Sequence, residues 1–361
     1  MDERHWLPQV HSDEEALPDL LERLADRWVG RLVLPTNDHA LATLARHHDR
    51  LARAYPPVVP PWEVTGPLLV KDRLYAVAER LGIDVPRSYG PATRRSAEAP
   101  DIAFPVLVKP VESHLFHERF RRKLFVAADR GELLEAVDRV VAAGIMAEIL
   151  DLIPGPDSAC HNYTVYLDAR AEPLAEFPFR KLRKSPPFYG VARVAETTGK
   201  LDLRERTLDL LRALGWRGIA SAEYKLDPRD GRYRLMDVNA RCYLAHALAL
   251  RCGVNYPLLA WREHVAGAPL RMRPNDWRGV WIHEQSDILY MLRFHGREGL
   301  GVADYVAPYR RPKTFAVWSR QDPRPALVEW AAAFATARRM LRSAAEREEV
   351  RQRVQPGFPE A

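Results

Sequence analysis

The sequence predicts a mixed α/β protein in which strands and amphipathic helices follow one another along the chain. Residues 70–86 have apolar positions at helical spacing and then Gly82, which predicts a helix followed by an extended segment. Residues 104–110 (FPVLVKP) are a short apolar run, typical of a buried strand. Residues 218–241 predict a β-hairpin, because two apolar runs flank a turn at 227–231 that contains Pro and Gly.

The composition is that of a globular protein with room for two or three subdomains. Of 361 residues, 47% are hydrophobic and 28% are charged, with a net charge of +6. The first residues contain no apolar signal segment and no apolar run approaches ~18 residues, so we expect a cytoplasmic protein with no membrane partner. Three cysteines without a CxxC pair indicate a reduced chain without a disulfide framework or a zinc site.

Sequence motifs exclude several functional classes. The pI of about 9.2 is compatible with nucleic-acid binding, but no helix-turn-helix, zinc-finger or RNP pattern occurs, so no nucleic-acid partner is expected. No G-x-G-x-x-G, P-loop or G-x-S-x-G motif is present, which disfavours dehydrogenases, Walker-type NTPases and α/β-hydrolases.

The hairpin carries a candidate metal site. Glu223 lies in its first strand, and Asp237 and Asn239 lie two residues apart in its second strand, so both point to one face. Antiparallel pairing can bring these three side chains together, with Arg241 one step beyond. Two carboxylates and an amide oxygen suit Mg²⁺, which takes its other ligands from phosphates and water. The alternative is that these residues are solvated charges at strand ends.

The pattern E-x-K-x-D, a hairpin and D-V-N-A-R resembles the metal-binding end of the ATP-grasp superfamily. Within it, the chain is similar to carbamoyl-phosphate-synthetase-like and D-aspartate-ligase-like carboxylate–amine ligases. The resemblance implies two antiparallel-sheet subdomains that clasp ATP. It also implies that Glu223, Asp237 and Asn239 hold two Mg²⁺ ions, with Mn²⁺ as an alternative, and that Arg241 faces an acyl phosphate. Asp237 stands where many members have Glu.

The resemblance also implies a set of phosphate contacts. Lys71 at the start of a helix and Lys109 at the end of the 104–110 strand match the two nucleotide lysines of the superfamily. Lys109 is the only charge of an apolar strand, and burying a lysine without a partner is costly. No glycine-rich phosphate loop follows, and the resemblance places Ser113 at the loop tip and Lys123 at a further phosphate contact. The alternatives are a surface lysine for Lys71 and a solvated charge run for Lys123.

The segment LDLIPGPDS, 150–158, resembles the hinge at which adenine lies. By this resemblance Asp151, Leu152 and Ile153 contact the purine, through the carbonyl of Asp151 and the N–H of Ile153. Asp157 then holds the ribose hydroxyls. A structural turn built by Pro and Gly is compatible with this interpretation.

A basic segment, 180–196, resembles the part of the subgroup that covers the active site. Arg180, Lys181 and Arg183 are candidates for contact with the γ-phosphate and the substrate carboxylate, because Arg binds oxyanions through a fork and Lys as a point charge. The alternative is a plain basic loop.

Three regions are expected along the chain. Residues 1–67 form an abbreviated N-terminal α/β domain, in which Arg31 to Pro35 is a short strand and Asp38 is interpreted as a helix N-cap rather than a ligand-facing acid. Residues 68–268 form the ATP-grasp domain, with a lid at about 103–153, and 269–361 form a C-terminal helical extension.

The function implied by the resemblance is ATP-dependent ligation of a carboxylate and an amine through an acyl phosphate. Small-molecule carboxylates and amines, amino acids among them, are the expected partners, and a homodimer stays open. The alternative is an ATP-binding module of the same fold without ligase activity, which the missing glycine loop and the short N-terminus favour.

Overall fold

The computed structural model describes residues 3–7, 13–111, 116, 119–120, 122–185, 187, 190–199, 203–294 and 300–342. Its helices are α1 (Ala16–Arg23), α2 (Ala25–Trp28), α3 (Asp38–Arg46), α4 (His48–Leu51), α5 (Trp62–Leu69), α6 (Lys71–Arg80), α7 (Arg94–Ala97), α8 (Arg130–Ala142), α9 (Arg204–Ala213), α10 (His246–Arg251), α11 (Tyr256–His264), α12 (Glu284–Phe294), α13 (Val302–Val306) and α14 (Arg324–Arg342). Its strands are β1 (Ser88–Pro91), β2 (Val106–Pro110), β3 (Phe125–Ala127), β4 (Ala147–Asp151), β5 (Cys160–Leu167), β6 (Pro173–Ser185), β7 (Val191–Thr197), β8 (Gly218–Asp227), β9 (Arg232–Asn239), β10 (Val280–Ile282) and β11 (Lys313–Phe315).

The described strands form two sheets. The smaller sheet has the order β1-β4-β2-β3, and the larger has the order β11-β10-β7-β6-β5-β8-β9. Neighbouring strands are antiparallel in both sheets, except that β10 and β11 run parallel. The prediction of two antiparallel sheets is therefore confirmed, and the last two strands show that residues beyond 268 contribute to the larger sheet.

The larger sheet is covered on both faces by apolar clusters. Consecutive residues of β5 belong to different apolar clusters. Val165 lies in the cluster that includes residues of α6 and α9, and Tyr166 lies in the cluster that includes residues of α10 and α11. This alternation follows from the two-residue period of a strand. Polar side chains on the sheet therefore stand out against an apolar background, and those of β8 and β9 form the site described below.

The predicted strand from Arg31 to Pro35 is wrong. These residues are extended but join no sheet, and residues 13–69 contain helices without a strand. Leu32 and Leu34 pack against one apolar cluster of the larger sheet and Val33 against the other. Side-chain packing on both sides, rather than pairing with a neighbouring strand, therefore holds the segment, and a short apolar run does not distinguish the two.

Every helix in the described part of the chain is too short or too polar to cross a bilayer. The division into domains at 67 and 268 stays a prediction.

Candidate functional site

The β8–β9 hairpin places two carboxylates side by side. Glu223 lies directly opposite Asp237, and Ser221 lies opposite Asn239, so Glu223, Asp237 and Asn239 share one face of the larger sheet. The Glu223 side chain is 15% exposed and that of Asp237 is 47% exposed. The hairpin therefore carries an acidic pair, with an amide beside it, and leaves Asp237 half-exposed to solvent.

Lysines from separate elements surround this acidic pair. Lys181 of β6 forms an ion pair with Glu223. Lys71, the first residue of α6, places Nζ 3.5 Å from Oδ2 of Asp237 and donates a hydrogen bond of 2.8 Å to the carbonyl of Met236. A cation at a helix N-terminus is unfavourable, and Asp237 supplies the negative charge that offsets it.

Lys109, in β2 of the smaller sheet, interacts electrostatically with the same acidic pair. Burial and then the charge of Lys71 lower the pKa of Lys109, the charges of Asp237 and Glu223 act in the opposite direction, and the resulting pKa is about 7. Burial also opposes the charge of Lys71, but Asp237, Tyr75 and Lys109 together outweigh it and raise the pKa of Lys71. Lys109 and Lys71, which lie in different parts of the fold, are therefore within electrostatic reach of one acidic pair.

The lysines keep the acidic pair ionised. Burial alone would raise the pKa of Glu223, but Lys181 and Lys184 hold it below its ordinary value. Burial opposes ionisation of Asp237 as well, and Lys71 and Lys109 lower its pKa. Both carboxylates are thus charged at neutral pH, as metal ligands must be.

Lys184 is a residue of the site that sequence reasoning missed. Its side chain is 5% exposed, and its Nζ lies 2.9 Å from Sγ of Cys160. Burial disfavours its charge, but Cys160, Glu223 and Asp157 together raise its pKa above the ordinary value. Burial and then the charges of Lys181 and Lys184 lower the pKa of Lys123, which is therefore within electrostatic reach of these two lysines. The basic run at 180–184 was the available signal for Lys184.

The hinge residues lie at the end of β4 and on the turn that follows. Asp151 forms an ion pair with Arg229 of the hairpin turn, with Nη2 and Oδ2 2.7 Å apart. The carbonyl of Ile153 accepts a hydrogen bond of 2.7 Å from Nζ of Lys225. The side chain of Leu152 is buried in an apolar cluster of the smaller sheet. The hinge thus connects the smaller sheet to the β8–β9 hairpin.

Two further residues, Asp157 and Ser113, were predicted to contact the nucleotide. Oδ2 of Asp157 accepts a hydrogen bond of 2.7 Å from the backbone N–H of Lys184, which places this carboxylate at the end of β6. Ser113 lies outside the described residues.

Arg241 follows β9 and binds an acid from the N-terminal helices. Its Nε lies 2.6 Å from Oδ1 of Asp38, and its Nη2 lies 3.1 Å from Oδ2 of Asp38 and 3.0 Å from Oδ1 of Asn239. The interpretation of Asp38 as the N-cap is wrong, because Asn37 caps α3 by accepting a 2.8 Å hydrogen bond from the N–H of Ala40. Asp38 is the first helical residue and is directed at Arg241.

Arg180 and Arg183 are not brought to the acidic pair, which corrects the expectation for both. Arg180 lies opposite Glu196 in the sheet and donates to it from Nε at 2.6 Å. Arg183 is 4% exposed and forms a double hydrogen bond with Asp287 of α12, at 2.8 and 2.6 Å. Arg180 is adjacent to Lys181 in β6 and therefore lies on the opposite face of the strand. Irregularities in the β6–β7 pairing on both sides of Arg183 shift the alternation there, so sequence spacing does not give the face of Arg183.

The donor set of the hairpin fits Mg²⁺. Two ionised carboxylates and one amide oxygen are hard oxygen donors, and the half-exposed Asp237 leaves room for water and phosphate ligands. Among the residues that the structure describes, no three His, Cys, Asp or Glu side chains converge as a closed metal centre.

Comparisons with known proteins agree with this geometry. A family model described as "Carbamoyl-phosphate synthase L chain, ATP binding domain" matches residues 194–272, which include the hairpin. A curated D-aspartate ligase of Enterococcus faecium (strain Aus0004) is 24% identical over 267 residues, which are 69% of this chain and 62% of that protein.

Solved structures of two other proteins have a similar fold. The L-amino acid ligase from Bacillus licheniformis superimposes with a TM-score of 0.53 and 21% identity, over 72% of this chain and 62% of that one. The biotin carboxylase from Campylobacter jejuni, solved as a complex with β,γ-ATP, superimposes with a TM-score of 0.59 and 14% identity, over 74% of this chain and 61% of that one. The chain thus spans less than two thirds of the length of each of these relatives.

Proposed function

We propose that this chain, which has the ATP-grasp fold, is an ATP-dependent carboxylate–amine ligase. In the proposed reaction a substrate carboxylate attacks the γ-phosphorus of ATP in line, and ADP leaves with the bond between the β- and γ-phosphates broken. The acyl phosphate is then attacked by an amine at its carbonyl carbon, and inorganic phosphate leaves as the amide bond forms. The family match and the D-aspartate and L-amino acid ligase relatives support this proposal.

One observation carries the proposal: lysines from both sheets and from α6 meet the acidic pair of the hairpin. Lys71, Lys109 and Lys181 belong to three separate elements, and each interacts electrostatically with Glu223 or Asp237. Holding these charged side chains close together costs free energy unless a bound ligand offsets their charge. The negative charge of a metal-bound triphosphate would pair with the lysines. Its oxygens would complete the coordination of a metal ion that the two acids hold.

The phosphates are therefore assigned to the lysine cluster. We propose that Lys71, Lys109 and Lys123 bind phosphate oxygens, with Lys181 at the γ-phosphate beside Glu223 and Ser113 at the loop tip. These side chains position the triphosphate and offset the charge that spreads over the transferring phosphoryl group. No covalent nucleophile of the protein is required.

The metal site is assigned to the hairpin. Glu223, Asp237 and Asn239 would hold Mg²⁺, which when bound neutralises phosphate charge and acts as a Lewis acid. We propose two Mg²⁺ ions, with Mn²⁺ as an alternative. Arg241 stands beside Asn239, where its guanidinium can receive the substrate carboxylate and then the acyl phosphate.

The adenosine moiety is assigned to the hinge. The carbonyl of Asp151 and the N–H of Ile153 are proposed to bind the purine edge, with Leu152 beside it and Asp157 at the ribose. The contacts of Arg229 and Lys225 with these residues support the proposal, because they fix the hinge backbone against the metal hairpin.

The proposed substrates are a small-molecule carboxylate and an amine, with amino acids as the first candidates. The two ligase relatives, a D-aspartate ligase and an L-amino acid ligase, support this choice. A cytoplasmic location and a homodimer stay predictions.

A phosphate-release screen tests the proposed function. Purified protein, Mg-ATP and pairs of carboxylates and amines, including amino acids, should release phosphate only when a productive pair is present, with the amide detected by mass spectrometry. ATP binding without pair-dependent phosphate release would instead identify a binding module without ligase activity.

The acidic pair provides the matched variants for this screen. Glu223→Gln and Asp237→Asn should abolish turnover and leave the fold intact, because each change keeps the size of the side chain and removes a metal-ligand charge. Asp230→Asn, in the exposed turn of the same hairpin, should retain activity. Wild-type turnover in either site variant would refute the metal assignment.

A further inference from the structure

An acid from the N-terminal helices reaches the proposed reaction centre. Asp38 begins α3 and its carboxylate contacts the guanidinium of Arg241 through two hydrogen bonds, of 2.6 and 3.1 Å. The backbone holds this approach in place, since the N–H of Cys242 donates to the carbonyl of Pro35 at 3.3 Å. Arg241 in turn contacts Asn239 at 3.0 Å. Asp38 is therefore one guanidinium group away from the metal hairpin.

The fold does not need Asp38 as a helix cap. Asn37 fills that role, and the Asp38 side chain is 56% exposed whereas that of Arg241 is 15% exposed. Each carboxylate oxygen has two lone pairs, so both oxygens of Asp38 can accept a further hydrogen bond while they contact Arg241. Asp38 is thus an exposed, charged acceptor beside the group that is assigned to the substrate carboxylate.

We propose that Asp38 binds the ammonium group of an α-amino acid whose carboxylate is activated beside Arg241. The inference rests on the proposed function, because Arg241 is assigned there to the acyl-donor carboxylate. An adjacent carboxylate and guanidinium complement a zwitterion: the substrate ammonium pairs with the acid, and the substrate carboxylate pairs with the Nη1 end of the arginine, where one N–H remains beside the 3.2 Å hydrogen bond from Nη1 to the carbonyl of Cys242. The substrate class is therefore an α-amino acid with a free amino group.

The same geometry selects against simple carboxylic acids. A substrate carboxylate that approaches Arg241 also approaches the negative charge of Asp38, and without an ammonium group nothing offsets that repulsion. Asp38 would thus determine specificity as well as affinity.

Equilibrium binding tests this inference separately from turnover. α-Amino acids of both configurations and their deamino counterparts, such as alanine against propanoate and aspartate against succinate, are titrated by calorimetry into the protein with Mg²⁺ and a non-hydrolysable ATP analogue. The wild-type protein should bind at least one amino acid more tightly than its deamino counterpart. Asp38→Asn should weaken that amino acid by roughly tenfold or more, as expected for a charge-assisted hydrogen bond, and leave the deamino counterpart equal or tighter.

Two further variants separate recognition from structure. Asp38→Glu keeps the charge and should retain part of the preference for the amino acid. Asp49→Asn, whose fully exposed side chain lies in the same N-terminal helices, should leave both ligands unchanged. Affinity for the ATP analogue should be equal in all variants, which also shows that each variant is folded.

Two outcomes would overturn the inference. One is an equal loss of amino acid and deamino counterpart in Asp38→Asn, since Asp38 would then only orient Arg241. The other is a wild-type protein that prefers no amino acid. If the preference is present and depends on Asp38 but no pair of substrates releases phosphate, the proposed ligase function fails while the inference on Asp38 stands.

Discussion

Lys109 is half-buried beside another lysine, and this arrangement has a cost in the absence of a ligand. Burial and the charge of Lys71 bring its pKa down to about 7. Above that pH Lys109 is therefore mainly neutral in the free protein. A bound triphosphate favours the ammonium form, so it must raise the pKa of Lys109.

Nucleotide binding should consequently take up a proton. At about pH 8, calorimetry of MgATP binding in two buffers of different ionisation enthalpy should show proton uptake, and affinity should fall as the pH rises above about 7. Lys109→Met should remove the uptake along with much of the affinity, whereas Lys313→Met, on the exposed edge strand β11, should change neither. Undiminished uptake in Lys109→Met would assign the proton to another group.

Single residues also mark the limit of sequence reasoning. The positions of four residues were predictable, because a local pattern places each of them in a particular helix or strand: Lys71, Lys109, Glu223 and Asp237. Asp38 was interpreted as a cap because Asn37 and Asp38 are both good capping residues, and the choice between adjacent residues depends on one backbone conformation.

The hairpin shows how much a single element can reveal. Its two strands and its turn follow from the two-residue period and from the Pro and Gly between the strands, and β8 and β9 both lie within the predicted hairpin at 218–241. The pairing of Glu223 with Asp237 follows from that register. Here local sequence determines local geometry, and so the position of Glu223 opposite Asp237 could be predicted.

Strand β6 shows the opposite case. Irregular pairing with β7 occurs between Lys181 and Arg183 and again between Arg183 and Lys184. A β-bulge changes which face a side chain occupies and has no reliable sequence signal without a glycine. The sequence therefore assigned Arg183 to the site and omitted Lys184, whereas the structure has Arg183 paired with α12.

The pair between Arg183 and Asp287 should stabilise the docking of α12 rather than bind the nucleotide. Arg183→Met leaves Asp287 with one fewer partner in a buried position, and loss of one member of a buried pair costs about 3–5 kcal/mol of unfolding free energy. Urea denaturation should show this loss, while Arg94→Met, which breaks an exposed ion pair, should cause a much smaller change.

Nucleotide binding provides the second measurement on Arg183→Met. At a temperature where the variant is folded, its affinity for MgATP should equal that of the wild-type protein. A variant of wild-type stability that has lost ATP affinity would return Arg183 to the phosphate site.

The site as a whole belongs to no single part of the chain. Lys109 comes from the smaller sheet, Glu223 and Asp237 from the larger sheet, Lys71 from α6, and Asp38 from the N-terminal helices. Sequence order and motif spacing predicted the first four members through the resemblance to ATP-grasp proteins. Asp38 and Arg241 are 203 positions apart in the sequence, and no sequence motif links them. Their contact is therefore seen only in the folded chain.

This arrangement predicts that the acidic pair and the lysines of the site have opposite effects on phosphate binding when no metal is bound. Without metal, the acidic pair repels the phosphates that the lysines attract. With Mg²⁺, the acids hold the metal that binds the phosphates, so the same carboxylates become favourable.

The most direct test is the affinity for a non-hydrolysable ATP analogue, measured with and without Mg²⁺. In the wild-type protein Mg²⁺ should tighten binding by about tenfold or more, a free energy of roughly 1.4 kcal/mol. The double variant Glu223→Gln, Asp237→Asn should lose this dependence and bind the metal-free nucleotide at least as tightly as the wild-type protein does. A double variant that keeps the full Mg²⁺ dependence would show that the triphosphate and the hairpin do not share one site.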